Sequence, residues 1–161
     1  MYYLIILGVL ALDQITKILI DTNLVKGDSI PVIENIFHIT YVQNTGAAFS
    51  MLQGERVFLI VFPAVVMAAM LLFLIFKCKK EHWTLRLALA LIISGGVGNL
   101  IDRAVRGFVV DFFDFRVWPV FNVADIAVCV GCGLLILNVL FFDKKDKKEK
   151  ANGKKDSELR N

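Results

Sequence analysis

Four long apolar stretches dominate the pattern of hydrophobic and polar positions along this chain. They cover residues 2–20, 57–76, about 85–101 and about 120–142. An α-helix rises 1.5 Å per residue, so about 20 residues cross the roughly 30 Å hydrocarbon core of a bilayer. Backbone groups in lipid must be satisfied within their own segment, which favours helices. The pattern therefore predicts an α-helical integral membrane protein with four transmembrane helices.

The segment between the first two stretches has a different, partly alternating pattern. Residues 31–33 and 36–42 have the short, β-branched and aromatic character of strands, and Asn44, Thr45 and Gly46 are typical of a turn. We expect a small extracytoplasmic β-sheet that lies at the outer membrane surface.

Composition supports a membrane rather than a soluble protein. Hydrophobic residues make up 57% of the chain and the mean hydropathy is +0.67, against roughly 45–50% apolar residues in soluble proteins. We predict a single transmembrane domain over residues 1–142. Residues 143–161 form a lysine-rich tail, which we expect to be cytoplasmic, disordered and close to anionic lipid headgroups. The tail lacks interleaved aromatic residues, so we expect no nucleic-acid partner.

The distribution of lysine and arginine predicts the direction of the spans. The short segment between the second and third stretches carries Lys77, Lys79, Lys80 and Arg86, whereas residues 21–56 carry only one lysine and one arginine, Lys26 and Arg56. Positive residues stay preferentially on the cytoplasmic side. Three arginines in residues 102–118 weaken this bias without reversing it. Both termini should therefore be cytoplasmic and the two longer loops should face outward.

Several ionisable residues interrupt the apolar stretches, at a cost of roughly 2.5–3.5 kcal/mol each. Asp13 and Lys17 are four residues apart on one helix face and can pair. A structural ion pair and a functional role are equally open for them. Near the outer end of the third stretch, Asn99, Asp102 and Arg103 also share one face.

Two further aspartates lie at a similar depth near the outer side. Asp111 has Val and Phe on both sides, which indicates a segment that dips back towards the membrane surface, and Asp114 is the competing acid nearby. Asn122 and Asp125 share a face about one turn into the fourth helix. Taken alone, Asp125 could be a helix N-terminal acid stabilised by the macrodipole.

Two carboxylates held close together indicate acid–base chemistry. Like charges about 3 Å apart cannot both ionise, so the pair shares one proton. The ionised member can take a proton from water while the protonated member donates to a carbonyl oxygen. Such a pair needs no cofactor, and with only His38 and His82 present we expect no metal site. His38 has no G-x-S-x-G partner motif for a Ser–His mechanism, and the C-x-x-C of Cys129 and Cys132 lies in an apolar run typical of helix packing.

Five short blocks together resemble the signature of bacterial lipoprotein signal peptidases (signal peptidase II), an intramembrane aspartyl protease family. The blocks occur in the family's order and are DQITK (13–17), NTGAAFS (44–50), GNLIDR (98–103), VVDF (109–112) and FNVAD (121–125). The likeness spans residues 1 to about 142, and no matched position departs from the pattern.

The resemblance implies residue roles and a substrate. Asp111 and Asp125 would be the catalytic dyad. The residues implied to bind substrate or orient the dyad are Asn44, Gly46, Asn99, Arg103 and Asn122, and those implied to be structural polar support are Asp13, Lys17 and Asp102. The implied reaction is cleavage of prolipoproteins before a diacylglyceryl-modified cysteine. The implied place is the bacterial cytoplasmic membrane, with membrane lipids as partners, and we expect a monomer.

Two other classes of protein remain as alternatives. Intramembrane charges also mark ion paths, so a small transporter or channel is possible in principle. A channel, however, should place polar residues along the full bilayer depth, whereas here they gather on the outer side and the second stretch has no charge. A membrane scaffold would not need two acids with apolar flanks at one depth.

Overall fold

A computed structural model of the chain describes residues 2–46, 56–78 and 81–142, without the side chains of residues 56 and 142. The tail over residues 143–161, Lys79, Lys80 and the second half of the NTGAAFS block lie outside these ranges. Our expectation of a disordered, cytoplasmic tail therefore stays a prediction.

The predicted four transmembrane helices are confirmed within the described ranges. They are α1 (Tyr2–Asn23), α2 (Arg56–Phe76), α3 (Trp83–Val105) and α4 (Val123–Leu137), and a π-helical turn, Asn138–Phe142, continues α4. All four are long and apolar enough to cross a membrane. The third helix runs four residues beyond the apolar stretch that ends at about residue 101, and it includes Asn99, Asp102 and Arg103, as their shared face predicted.

The predicted small sheet is also present, with one strand more than expected. Its strands are β1 (Ser29–Ile33), β2 (Phe37–Asn44) and β3 (Val109–Asp114), antiparallel in the order β1-β2-β3. The prediction that the segment around Asp111 dips back to the membrane surface missed this third strand. Val42 of β2 pairs with Asp111, so backbone pairing with β2 determines where this segment lies.

The sheet covers the end of the helix bundle at which α1 ends and α4 begins. Tyr41, Val110 and Phe112 form a buried cluster in the sheet. The partly buried side chains packed against this cluster include Ile20 near the end of α1 and Val123 at the start of α4. The packing therefore brings β3 next to the first turn of α4.

Helix α3 is the centre of the bundle and packs against α1, α2 and α4. Two of its glycines allow this close approach. A Cβ atom on Gly98 would lie 2.5 Å from Oδ2 of Asp13, and one on Gly95 would overlap the carbonyl oxygen of Ala124. The small residues of this segment therefore serve helix packing, as expected in membrane bundles.

Helix α1 buries polar side chains and exposes apolar ones, which is the reverse of a helix in a soluble protein. Within residues 2–23 the buried side chains are Asp13 and Lys17, whereas Leu4 and Leu7 are 73% and 62% exposed. Such a helix is stable only if its outer surface contacts lipid.

Candidate active site

The fourth helix begins with a capping box that fixes one of the two aspartates. Asn122 is the N-cap residue, and its Oδ1 accepts a hydrogen bond from the backbone N–H of Asp125 at 3.0 Å. In return, Oδ2 of Asp125 accepts from the backbone N–H of Asn122 at 3.1 Å. Side-chain caps of this kind satisfy the free N–H groups of the first turn. Asp125 is thus a helix-capping acid, and its Oδ1 remains directed at α3.

Asn122 also joins the two aspartates. Its Nδ2 donates to Oδ1 of Asp111 at 2.7 Å, while its own backbone N–H holds Asp125. The same Nδ2 lies 3.1 Å from Oδ1 of Asn99 and 3.3 Å from the carbonyl oxygen of Val110. Asn122 is fully buried. Its contacts with both carboxylates hold Asp111 and Asp125 close to each other.

Two more asparagines complete the contacts of the dyad. Asn44, the last residue of β2, donates to Oδ2 of Asp111 at 3.0 Å, and Asn99 of α3 donates to Oδ1 of Asp125 at 2.8 Å. Each of the four carboxylate oxygens therefore accepts one N–H group from asparagine. These donors are neutral, so they orient the carboxylates without supplying a positive charge.

Burial and the neighbouring acid change the protonation of Asp111. Its side chain is 3% exposed. Burial, and next the charge of Asp125, raise the pKa of Asp111 to about 7, although the hydrogen bonds from Asn44 and Asn122 act in the opposite direction. Desolvation and a like charge both disfavour the ionised carboxylate. Asp111 can therefore hold a proton near neutral pH.

Arg103 connects α3 to the loop that follows β2. Its Nη2 donates to the carbonyl oxygen of Gly46 at 2.8 Å. The backbone N–H of Gly46 in turn donates to Oδ1 of Asn44 at 3.0 Å. This hydrogen bond closes the predicted turn after β2. The arginine thus holds the loop that positions Asn44 beside Asp111.

An apolar cavity of about 770 Å³ opens onto the two aspartates. Its polar end is formed by Asn44, Asn99, Arg103, Asp111 and Asp125. The rest of the lining comes from α2, α4, the segment before α4 and the strands β2 and β3, and includes Leu59, Pro63, Trp118, Pro119, Val120, Ile126, Cys129 and Val130. The cavity can accept a long apolar ligand and bring one polar group of that ligand to the carboxylates.

A second buried cluster lies beside the dyad, around Lys17. Its ammonium group is 3.0 Å from Oδ2 of Asp13, 3.0 Å from Oδ2 of Asp102 and 2.8 Å from Oδ1 of Asn99. The side chains of Asp13, Lys17 and Asp102 are all fully buried. The predicted Asp13–Lys17 pair is confirmed, and the structure adds Asp102 to it.

Two residues of this region were missed in the sequence. Arg106 contacts Asp102 and also Asp21, and Gln14 donates to Asp13 at 3.1 Å and to the carbonyl oxygen of Gly98 at 3.2 Å. The spacing of Asp102 and Arg106, four residues apart on α3, was an available signal because such pairs face each other on a helix.

Asp114 and His38 belong to another part of the sheet. Asp114 accepts hydrogen bonds from Thr40 and Arg116; although burial acts in the opposite direction, these contacts lower the pKa of Asp114. Nδ1 of His38 is 3.0 Å from Oγ of Ser29. Neither Asp114 nor His38 lines the cavity. Within the described ranges, no group of three or more His, Cys, Asp and Glu side chains could hold a metal ion.

Comparison with known proteins decides the family. Residues 5–141 match the family described as Signal peptidase (SPase) II. The chain belongs to the signal peptidase II family. A lipoprotein signal peptidase of Clostridioides difficile is 47% identical over 149 residues, which is 91% of this chain and 99% of that protein. One of Desulfitobacterium hafniense is 46% identical over 139 residues, covering 86% and 91% of the two chains.

Solved structures agree with this family assignment. A bacterial membrane enzyme determined by the in meso method at 2.3 Å resolution is 34% identical, with a TM-score of 0.82 over 92% of this chain and 90% of that chain. A second such structure, at 1.9 Å resolution, has a TM-score of 0.79 at 34% identity. This signal peptidase II family member is thus a multi-pass membrane protein and an aspartic-type peptidase.

Proposed function

We propose that this signal peptidase II family member removes signal peptides from prolipoproteins, cutting before a diacylglyceryl-modified cysteine by water activation between Asp111 and Asp125. The observation that carries the proposal is that Asn122 joins the buried carboxylate of Asp111 to the partly buried carboxylate of Asp125 at the polar end of an apolar cavity. The names of the related lipoprotein signal peptidases support the substrate.

The dyad would work with one proton shared between its two members. In this proposal Asp111, whose pKa is about 7, holds the shared proton near neutral pH, and Asp125 is the member that accepts a proton during the reaction. Asp125 takes a proton from the attacking water, and Asp111 gives its proton to the carbonyl oxygen of the scissile peptide. The tetrahedral intermediate then collapses: Asp125 returns its proton to the leaving nitrogen and Asp111 takes back the hydroxyl proton. The dyad ends in its starting state.

The shape of the cavity supports a lipid-modified substrate. One end is lined by apolar side chains of α2 and α4, and the other by the two carboxylates of the dyad and the side-chain amides of Asn44 and Asn99. A diacylglyceryl group in the apolar part would hold the adjacent peptide bond at the polar end. Because the peptide bond is then held beside the carboxylates, its reaction with them becomes effectively intramolecular. Arg103, which already binds the loop carbonyl of Gly46, is placed to orient the substrate backbone.

The arrangement in the membrane follows from the same geometry and from the lysine distribution. We place both termini in the cytoplasm and the sheet, with the dyad beside it, at the outer face of the bacterial cytoplasmic membrane. Residues 1–142 form the peptidase domain, which acts as a monomer with membrane lipids around it. The polar residues of the cavity gather at one end of the bundle and α2 is uncharged over Val57–Phe76. That one-sided distribution favours a protease over a transport path.

The test is cleavage of a diacylglyceryl-modified prolipoprotein peptide by purified protein in detergent or liposomes. We expect the wild type to cleave, and Asp111→Asn and Asp125→Asn to lose at least about 1,000-fold in kcat, since each removes one partner of the proton transfers. Asp114→Asn is the matched control, because it neutralises an acid of the same strand that does not line the cavity.

Either of two outcomes would contradict the proposal. Cleavage that persists in a folded Asp111→Asn or Asp125→Asn protein would show that the altered aspartate is not an essential acid or base. Absence of cleavage by the wild type would remove the protease assignment for this substrate.

A further inference from the structure

We propose that Lys17 is a positioning residue for the reaction: its ammonium group fixes the side-chain amide of Asn99, so that the N–H group of that amide faces Asp125. This inference rests on the proposed function, because it assigns a role relative to the proposed dyad. It differs from polar support of the bundle, since it connects a buried lysine of α1 to the reacting carboxylate on α4 through one amide of α3.

The hydrogen bonds of Asn99 allow only one orientation of its amide. Its Oδ1 accepts from two donors, Nζ of Lys17 at 2.8 Å and Nδ2 of Asn122 at 3.1 Å. Its Nδ2 donates to Oδ1 of Asp125 at 2.8 Å. In the reversed orientation, an N–H group would face two donors and a carbonyl oxygen would face a carboxylate. Lys17 has no acceptor capacity at all, so it excludes that orientation more strongly than Asn122 does.

The same ammonium group is also linked to the other aspartate, through the backbone. Lys17 lies 3.0 Å from Oδ2 of Asp102. That oxygen accepts a hydrogen bond at 3.2 Å from the backbone N–H of Val110, the residue before Asp111. Lys17 therefore acts on α4 through Asn99 and on β3 through Asp102. One buried charge thus has a hydrogen-bonded connection to both halves of the dyad.

The position of Lys17 separates positioning from substrate binding. The side chain is fully buried and does not line the cavity, so it cannot contact the substrate. Loss of a group that orients a reacting residue should lower kcat while the substrate is bound as before. Residues that orient metal ligands without touching the metal typically contribute about 10-fold to 100-fold to activity, and we expect a factor of the same size for Lys17.

The variant must remove the ammonium group without leaving unbalanced buried charge. Lys17→Met together with Asp13→Asn removes one positive and one negative charge, and Asp102 keeps Arg106 as its partner. Asparagine at position 13 can still accept the hydrogen bond that Asp13 Oδ1 receives from the backbone N–H of Ala124. The matched lysine control is Lys26→Met, an exposed residue of the loop after α1.

The experiment is a double-mutant cycle on prolipoprotein peptide cleavage. We expect the charge-balanced double variant to lower kcat about 10-fold to 100-fold with KM changed less than about twofold. We expect the same pair of changes to lower kcat clearly less in an Asn99→Ala background, because the amide that faces Asp125 is gone and only the link through Asp102 to the backbone of Val110 remains. Thermal unfolding of each variant is followed in parallel, because a merely structural role would lower stability equally in both backgrounds.

Several results would overturn this inference. Losses in kcat that multiply in the Asn99→Ala background would mean that Lys17 acts independently of Asn99. A higher KM with unchanged kcat would place Lys17 in binding. If the wild type cleaves in these cases, the proposed function stands and only the role of Lys17 falls; if the wild type does not cleave, both fall.

Discussion

Two clusters of ionisable groups lie side by side in this protein, one fully buried and one partly buried, and the signs of their charges separate their roles. In the first, Lys17 sits between Asp13 and Asp102, so opposite charges are in contact. In the second, Asp111 and Asp125 are joined through Asn122, and the asparagines around them are neutral. Opposite charges stabilise each other's ionised forms, whereas like charges compete for one proton. The first cluster therefore fixes geometry and the second is suited to proton transfer.

The largest effect should follow from breaking the balance of the first cluster. Lys17→Met alone leaves Asp13 and Asp102 buried with only Arg106 as a counter-charge. Removing one member of a buried ion pair typically costs about 3–5 kcal/mol of unfolding free energy. Thermal or denaturant unfolding in detergent measures this loss. The charge-balanced Lys17→Met/Asp13→Asn variant is the comparison and should be much more stable than the single variant. If the single and the double variant were equally stable, charge balance would not contribute to the stability of this cluster.

A smaller loss of stability should follow from a substitution that crowds the same cluster without changing its charge. Gly98→Ala places a methyl group 2.5 Å from Oδ2 of Asp13. Overpacking of this kind costs typically about 1–3 kcal/mol. The measurement is again unfolding in detergent.

Gly8→Ala is the matched control for that substitution. A Cβ atom at Gly8 meets nothing within 4 Å, and alanine favours helices by about 1 kcal/mol over glycine. This control should be neutral or slightly stabilising. If Gly98→Ala and Gly8→Ala had the same unfolding free energy, α3 would not pack closely against Asp13, contrary to the structure.

The four spans and two of the polar contacts near the candidate site could be predicted from the sequence because each has a strong local signal. Long apolar runs predict helices directly, and residues spaced by three or four on a helix share a face. On that basis Asp13 and Lys17 were predicted to pair, and Asn122 and Asp125 to share a face; the residues of each set are in contact. Each of these signals is contained within a few residues of one element.

The parts that were missed depend on contacts between distant elements. Residues 109–114 are apolar except for Asp111 and Asp114, without the regular alternation that marks a strand, and their pairing with β2 joins segments about 70 residues apart. The burial of Asp102 has the same kind of cause. Lys17 of α1 contacts Asp102, and no local pattern shows this contact between two helices.

The most direct test of the contrast between the two clusters is the protonation of the dyad, followed by infrared difference spectroscopy as a function of pH. The pKa of Asp111 is raised to about 7, so its proton is bound below that pH and lost above it. We expect the wild type to show a protonated carboxyl at about pH 5 that disappears in a titration centred near pH 7. We expect this signal to be absent in Asp111→Asn. If no carboxyl that titrates between about pH 5 and 9 distinguishes the two proteins, the aspartates do not share a proton near neutral pH, and the central claim is contradicted.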